Sequence, residues 1–220
     1  MEQGSEEWRV ARAGSLGASQ VHEALARTKT GWGASRANLI ARLVIERLTG
    51  QPVKTYTTAA MQDGIDREPM ARCAYEFWSN SDVQQVGLIK HPNIADTHAS
   101  PDGMVNHDGL VEIKCPQPAQ HLASLNGEAI ADKYMMQMQW QLRCCERQWC
   151  DFVSFCPDFP ESMRIIIKRV ERDDKRIAAM EEEIVCFLNE VREIVRQLKV
   201  KYEPGAPTGM PSVTELLMAG

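Results

Sequence analysis

Two charged residues stand two positions apart in a short apolar segment, Gly109–Cys115. The alternation of this segment predicts a β-strand, in which successive side chains point to opposite faces. Val111 and Ile113 then point towards a core, whereas Glu112 and Lys114 share the other, polar face. A carboxylate beside an ammonium group can hold a hard cation through oxygen while the lysine orients or deprotonates a water molecule. The pattern therefore predicts metal-assisted hydrolysis.

A second carboxylate precedes this strand in the sequence. Asp102 lies in a Pro-Asp-Gly bend, where it would join Glu112 and the Ile113 carbonyl oxygen in a partial cage for Mg²⁺. Each feature alone has a structural explanation, because Pro-Asp-Gly is a common turn and Glu-x-Lys on a strand is usually a solvated face. Their combination is rarer, and we interpret it as a candidate catalytic centre.

The composition narrows the class of protein. The chain has 220 residues, of which 44% are hydrophobic, and a net charge of −5, which disfavours a protein that coats nucleic acid by charge alone. It lacks the run of about 20 apolar residues that crosses a membrane, and its first ten residues are too polar for a secretory signal. Seven cysteines without C-x-x-C pairs predict reduced thiols, no zinc site and a cytoplasmic location. The five histidines share no metal-ligand spacing and are expected at the surface or in loops.

Periodicity predicts the elements that position these residues. Apolar residues at helical spacing predict five helices, at 18–26, 34–48, 58–78, 131–145 and 177–198. Ser19 is expected near the N-terminal cap of the first helix, and the third is expected to be interrupted at Gly64 and stressed at Pro69. Five strands are predicted, at 83–89, 97–105, 109–115, 148–155 and 163–170. Helices around a run of strands predict one three-layer α/β or α+β domain at 1–203, followed by a tail at 204–220.

The order P-D…(D/E)-x-K resembles the signature of the restriction-endonuclease-like nuclease superfamily. Within it, residues 3 to about 202 resemble the bacteriophage lambda exonuclease-like family of viral-recombination nucleases. Six segments in the same order carry this resemblance: Gly4–Trp8, Arg12–Ser19, Gly64–Glu68, Ser100–Gly103, Val111–Pro116 and Tyr134–Gln139. The resemblance implies a restriction-endonuclease-like core, in which helices flank a central mixed sheet.

The resemblance also implies roles at the catalytic centre. Asp102, Glu112 and the Ile113 carbonyl match the family's Mg²⁺ ligands, and Lys114 matches the lysine that positions or activates the attacking water. The family implies two Mg²⁺ ions in each active site, with Mn²⁺ as a substitute.

Two further matches have structural alternatives. Glu68 matches a helix carboxylate that helps to bind or orient the second metal, but it would equally pair with Arg67 or Arg72 on a helix surface. Gln137 matches a glutamine near the catalytic centre, but a Met-rich amphipathic helix would also place it at the surface.

By the same resemblance, Arg12, Ser19 and Ser100 form the pocket for the terminal 5′-phosphate of DNA. An arginine fork with two hydroxyl groups suits a phosphate dianion. Met61 matches an apolar wedge beside the duplex end, although a methionine on an amphipathic helix is usually a core residue. The sequence departs from the family at Asp63, where an aromatic residue is usual, and in the tail after residue 203.

The resemblance implies a processive 5′→3′ exonuclease of phage or prophage origin. It would degrade one strand of linear double-stranded DNA with a 5′-phosphate end and leave 3′ single strands for a single-strand-annealing protein. Relatives assemble as ring-shaped homotrimers. The alternatives are a structure-specific or restriction-type endonuclease, and a non-enzymatic scaffold; the trio Arg12, Ser19 and Ser100 disfavours the former and the intact catalytic set disfavours the latter.

Overall fold

The computed structural model describes residues 3–54, 56 and 58–203. Its helices are α1 (Glu6–Arg12), α2 (Val21–Ala24), α3 (Ala34–Thr49), α4 (Ala59–Ser79), α5 (Pro118–Leu125), α6 (Asp132–Cys145) and α7 (Asp174–Tyr202). Its strands are β1 (Leu16–Gly17), β2 (Arg27–Thr28), β3 (Gly31–Trp32), β4 (Val83–Gln84), β5 (Ile89–Lys90), β6 (Thr97–Ala99), β7 (Gly103–Val105), β8 (Gly109–Lys114), β9 (Trp149–Phe155) and β10 (Ile165–Glu171). Two 3₁₀ turns span Ala18–Gln20 and Glu161–Met163.

A five-stranded mixed sheet forms the centre, in the order β10-β9-β8-β7-β4. β8 and β9 are parallel and the other neighbours are antiparallel. Parallel neighbours need a long crossover, and here α5 and α6 supply it. A smaller sheet, in the order β1-β6-β5, lies beside the central one. The third sheet is the β2–β3 hairpin.

Helices cover both faces of β8. On one face, Val111 and Ile113 pack against Ala71 and Tyr75 of α4. On the other, Leu110 packs in a cluster with Met138 and Leu142 of α6. The predicted α/β class, a central mixed sheet flanked by helices, is therefore confirmed.

The last helix packs through the stripe that the sequence predicted. Its buried residues are Ile177, Met180, Ile184, Phe187, Leu188 and Val191. They share a core cluster with α3 and with Trp140 of α6. All seven cysteines are free thiols, and three of them, Cys144, Cys150 and Cys156, are buried.

Several expected elements differ in extent. α4 runs without interruption through Gly64 and contains Pro69, with Thr58 capping its first turn through a hydrogen bond from the Met61 amide (3.2 Å). The predicted helix at 18–26 is a 3₁₀ turn followed by a single α-helical turn, and Ser19 does not cap it, because the chain enters the turn through extended Gly17. Four elements were not predicted from the sequence: α1, α5, β1 and the β2–β3 hairpin.

Two predicted strands are each divided between sheets. The run at 83–89 yields β4 in the central sheet and β5 in the smaller one, and the run at 97–105 yields β6 and β7. The second division falls at Ser100–Asp102. Proline has no amide hydrogen for a strand ladder, so Pro101 favours the break. This crossing between sheets places the Pro-Asp-Gly bend beside β8.

Candidate active site

Glu112 lies in β8 beneath helix α6 and is 1% exposed. Two amides from that helix bind its carboxylate: Gln137 Nε2 donates to Oε1 and Gln141 Nε2 donates to Oε2, each at 2.6 Å. The two glutamines are four residues apart, so they lie on the same side of the helix. Glu112 was expected on the polar face of the strand, but its burial under α6 was not predicted from the sequence. Hydrogen bonds compensate for the burial of its charge.

Lys114 shares the face of Glu112, as the alternation predicted. Its ammonium group contacts Glu112 Oε1, and its side chain remains 29% exposed. Burial works against the charged form, but the carboxylates of Glu112 and Asp102 outweigh burial and raise the pKa of Lys114. The ammonium group therefore contacts a buried carboxylate, while the side chain as a whole is partly open to solvent.

Asp102 is anchored by the backbone of the neighbouring strand. The Ile113 amide donates to Asp102 Oδ2 at 2.6 Å, which ties the Pro-Asp-Gly bend to β8. Burial raises the pKa of Asp102 well above its usual value, and the negative charge of Glu112 raises it further. A cation would relieve the repulsion that Asp102 experiences from Glu112, so the pair of carboxylates is a fitting site for one.

These oxygen donors fit Mg²⁺. In the part of the chain that the structure describes, no three His, Cys, Asp or Glu side chains are arranged around one metal position. Mg²⁺ usually binds through one or two carboxylates, with water and substrate phosphate oxygens completing its shell. Asp102 and Glu112 would be those carboxylates.

Glu68 of α4 pairs with Arg72, whose Nη2 donates to Glu68 Oε1 at 3.1 Å. The helix-surface pairing considered in the sequence analysis is therefore present, and Arg67 instead pairs with Asp158. The charge of Glu68 nevertheless contributes to the raised pKa of Asp102. Glu68 thus lies at the edge of the site, 34% exposed.

The surface alternative for Gln137 is wrong, since its amide binds Glu112 directly. Gln141 makes the matching bond to the second oxygen of Glu112, and the sequence analysis missed it. Its position one helical turn after Gln137 indicates that the two side chains lie on the same side of α6. The methionines of this helix, however, favoured an interpretation of that side as core packing.

Arg12, at the end of α1, belongs to a second group of residues. Its guanidinium lies 4.0 Å from the centroid of the Trp8 ring, and the Trp8 indole nitrogen donates to Ser100 Oγ at 3.2 Å. Trp8 therefore joins Arg12 to Ser100, two members of the predicted phosphate pocket. Ser19, the third, is exposed in the 3₁₀ turn after β1 and is not joined to this group by a side-chain hydrogen bond within the described ranges.

His98 accepts a hydrogen bond from the Arg12 side chain. Arg12 Nε donates to His98 Nε2 at 3.1 Å, so His98 Nδ1 carries the proton and donates to Ser15 Oγ at 2.8 Å. Burial and the charge of Arg12 lower the pKa of His98 to about 3. Gly17 makes room for this arrangement, since a Cβ atom there would lie 3.2 Å from both Arg12 Nη2 and His98 Nε2. The expectation that the histidines lie at the surface or in loops was wrong for His98 in β6 and His121 in α5, which are buried; His91 is also buried but lies in the loop after β5.

The bend that carries Asp102 is also fixed from the amino end of the chain. Gln3 Nε2 donates to the carbonyl oxygens of Val86 and Pro101, both at 2.8 Å. Together with the bond from Trp8 to Ser100, this contact holds the segment immediately before Asp102. Met61 lies in the first turn of α4 and is 58% exposed, so it is not a core residue.

Comparison with known proteins identifies relatives of the whole fold. A family model described as the YqaJ-like viral recombinase domain matches residues 7–148. The structure of the alkaline exonuclease LHK-Exo from Laribacter hongkongensis, also solved in complex with dAMP, is 43% identical, with a TM-score of 0.83, covering 89% of this chain and 96% of that one. A phage-related exonuclease from Haemophilus somnus 129PT, at 13% identity, shares the fold with a TM-score of 0.66, covering 84% of this chain and 96% of that one.

A curated viral relative is more distant. An uncharacterized protein of Acanthamoeba polyphaga mimivirus is 30% identical over 118 residues, which are 48% of this chain. The match spans only 22% of that relative's length. Separately, none of the helices described here is both long and apolar enough to cross a membrane.

Proposed function

Because the chain belongs to the YqaJ-like viral recombinase family, we propose that it is a Mg²⁺-dependent exonuclease acting on linear double-stranded DNA. In this proposal it digests one strand processively from the 5′ end and leaves a 3′ single strand for an annealing protein. One observation carries the proposal: Glu112 is buried yet bound by Gln137, Gln141 and Lys114, beside the backbone-anchored Asp102. A core without catalytic use has little reason to bury this charge.

The chemistry assigned to the site is phosphodiester hydrolysis. By family resemblance, each site would bind two Mg²⁺ ions, with Mn²⁺ as a substitute. The bound metal would lower the pKa of the attacking water and neutralise the charge of the phosphate. Asp102, Glu112 and the Ile113 carbonyl would hold metal, with Glu68 at the edge. Gln137 and Gln141 fix the Glu112 carboxylate so that it presents one orientation. Lys114 positions the attacking water with its ammonium group.

The second group of residues favours an end-directed enzyme. Arg12, Ser100 and Ser19 would bind the terminal 5′-phosphate, with the arginine already held by Trp8 and His98. An arginine fixed in advance loses less conformational entropy when it binds a phosphate. The exposed Met61 would contact the end of the duplex. An endonuclease of the same superfamily has no need of such a pocket.

Assembly as a homotrimeric ring would explain processivity. A chain with net charge −5 cannot remain on DNA through many cuts by weak, salt-sensitive attraction alone. A closed ring around the duplex would keep the protein on DNA without tight binding, because the ring cannot leave until it opens or reaches an end. Cyclic symmetry limits the assembly to a fixed number of subunits. Light scattering should give three times the monomer mass, whereas a monomer that remains processive would exclude the ring.

Three substrates test the proposed function directly. The protein is incubated with linear 5′-phosphorylated duplex, linear 5′-hydroxyl duplex and closed circular DNA, each with Mg²⁺ and with EDTA. We expect Mg²⁺-dependent digestion of the linear molecules, fastest for the phosphorylated one, and release of label from 5′ ends first. Cutting of the closed circle at a similar rate would favour the endonuclease alternative, and no cutting of any substrate would contradict a nuclease.

A further inference from the structure

A basic pocket lies next to Arg12 and away from Glu112. It has a volume of about 780 Å³ and is lined by Trp8, Arg12, Ser15, Gln20, Glu46 and neighbouring residues of the 51–54 segment. Neither Ser19 nor Ser100 lines it, although Arg12 does. The pocket is therefore adjacent to the predicted site for the terminal phosphate and shares one arginine with it.

The charges of the pocket favour an anion. Four basic side chains line it, those of Arg9, Arg12, Arg42 and Lys54, against the two acidic side chains of Glu6 and Glu46. This excess of positive charge occurs in a protein whose net charge is −5. A local cluster of positive charge on an acidic protein is the electrostatic footprint of a nucleic-acid contact.

Glu46 does not neutralise these arginines through hydrogen bonds. Its Oε2 accepts from the Gly14 amide at 2.8 Å and its Oε1 accepts from the Val53 amide at 3.0 Å. The carboxylate is only 9% exposed and serves to tie α3 to the two segments that border the pocket. Glu6, the other acidic residue, pairs at 3.5 Å with Arg9 at the exposed rim.

Arg42 is the residue of the pocket whose buried position is not explained by a hydrogen bond from its Nη2 nitrogen to the described part of the chain. Its Nη2 nitrogen is buried and has no hydrogen-bond partner among residues 3–54, 56 and 58–203. A buried donor without a partner is costly, so a bound acceptor group would stabilise Arg42. Burial and the positive charge of Arg42 lower the pKa of Arg12 and outweigh the opposing effect of Glu46, as expected for two neighbouring guanidinium groups.

We propose that this pocket binds a second phosphate group of the DNA, a backbone phosphodiester, through Arg42, with Arg9 and Lys54 at its rim. The inference rests on the proposed function, because it takes DNA as the ligand. Arg12 lies between the two phosphate sites and would contact both. A backbone phosphate is favoured over a free anion because Arg9 and Lys54 are exposed at the rim, where a continuous strand can pass.

Binding without cleavage tests this site separately from catalysis. The full chain is titrated in EDTA with 5′-phosphorylated and 5′-hydroxyl duplexes at several salt concentrations. We expect Arg42→Met to weaken binding of both duplexes by a similar factor, about tenfold to a hundredfold. The slope of log affinity against log salt should fall by about 0.9, the value for one phosphate contact. Arg12→Ala should, in contrast, penalise the phosphorylated duplex more than the hydroxyl-ended one.

Controls make each result decisive. Arg196→Met removes an arginine that is 63% exposed and paired with Glu193 on α7, and should leave affinity unchanged. If circular dichroism shows that Arg42→Met does not fold, the exposed Lys54→Met replaces it, with the same loss expected on both duplexes.

Three outcomes would overturn the proposal. An effect no larger than that of Arg196→Met removes Arg42 from DNA binding. An effect confined to the 5′-phosphorylated duplex assigns Arg42 to the terminal phosphate instead. Loss of calorimetric binding of inorganic phosphate without loss of DNA affinity means that the pocket takes a free anion. If wild-type protein binds DNA as expected but never digests it with Mg²⁺, the proposed function fails while the pocket stands.

Discussion

Gln141 donates a 2.6 Å hydrogen bond to Oε2 of Glu112, a carboxylate that is 1% exposed. The bond comes from helix α6, which covers the face of β8 that carries Glu112 and Lys114. It completes the set of partners around the carboxylate, because Oε1 already receives Gln137 and Lys114. The orientation of the candidate metal ligand therefore depends on α6 as much as on its own strand.

Replacing Gln141 by leucine should impair both stability and catalysis. The change leaves Oε2 of Glu112 buried without its donor, which should lower the free energy of unfolding by about 1–3 kcal/mol. A carboxylate free to rotate should also bind Mg²⁺ less well and slow digestion. Urea denaturation and calorimetric Mg²⁺ titration measure the two effects. Gln197→Leu, which removes an exposed amide bonded to Glu193, is the matched control. Wild-type stability in Gln141→Leu would show that this bond is dispensable.

Lys114→Ala should abolish turnover while DNA binding persists. The lysine acts on water and is not itself a metal ligand, and loss of a positioned proton-handling group typically costs about 10²–10⁴-fold in rate. End-labelled duplex digestion, run beside a binding assay, measures this separation. Lys199→Ala, on the exposed side of α7, should digest DNA normally. Near-normal digestion by Lys114→Ala would remove the residue from the mechanism.

Asp102→Asn should weaken Mg²⁺ binding without unfolding the protein. The amide oxygen of asparagine can still accept the bond from the Ile113 amide, so the bend should stay anchored to β8. The charge that attracts the metal is lost, however. Calorimetric titration of the mutant and wild type measures the change, with thermal unfolding as the check on folding. Equal Mg²⁺ affinity in the two proteins would place the metal elsewhere.

His98 should make the protein sensitive to mild acid. Its pKa is about 3 in the folded protein, below the value of about 6.5 expected for an unfolded chain. Its stabilising contribution is therefore complete above pH 6.5 or so and is lost as the pH falls towards 3, by up to about 1.4 kcal/mol per pH unit. His98→Gln keeps an acceptor for Arg12 but does not titrate. Between pH 7 and 5, we expect wild type to lose about 2 kcal/mol more than this mutant in urea denaturation. Equal losses would show that another group governs acid stability.

Local pattern predicted the parts of the site that depend on local structure. The two-residue period of β8 placed Glu112 and Lys114 on one face, and helical spacing predicted α3, α6 and α7 close to their observed bounds. Burial of Glu112 could not be predicted, because it depends on which helix covers the strand. The partnership of Trp8 with Ser100 joins residues 92 positions apart, and no periodicity encodes such a contact.

The division of two predicted strands between sheets could not be predicted for a related reason. A run of β-forming residues is the same whether it stays in one sheet or passes to the next, so the break at Ser100–Asp102 was not distinguishable from a continuous strand. Ser19 failed as a cap because a serine before an apolar run is only a statistical signal. Gly17 lies at that place instead.

The hydrogen bonds from Gln3 to Val86 and Pro101 connect the amino end of the chain to the bend that carries Asp102. A recombinant form without the first eight residues would lose these two hydrogen bonds and the bond from the Trp8 indole to Ser100. Every strand of the central sheet would remain. Such a protein should still unfold cooperatively but bind metal less well, because the Pro-Asp-Gly bend would be held only by the bond from the Ile113 amide to Asp102. If limited proteolysis at the amino end abolished nuclease activity, the cause would thus be a displaced Asp102 side chain and not damage to the core.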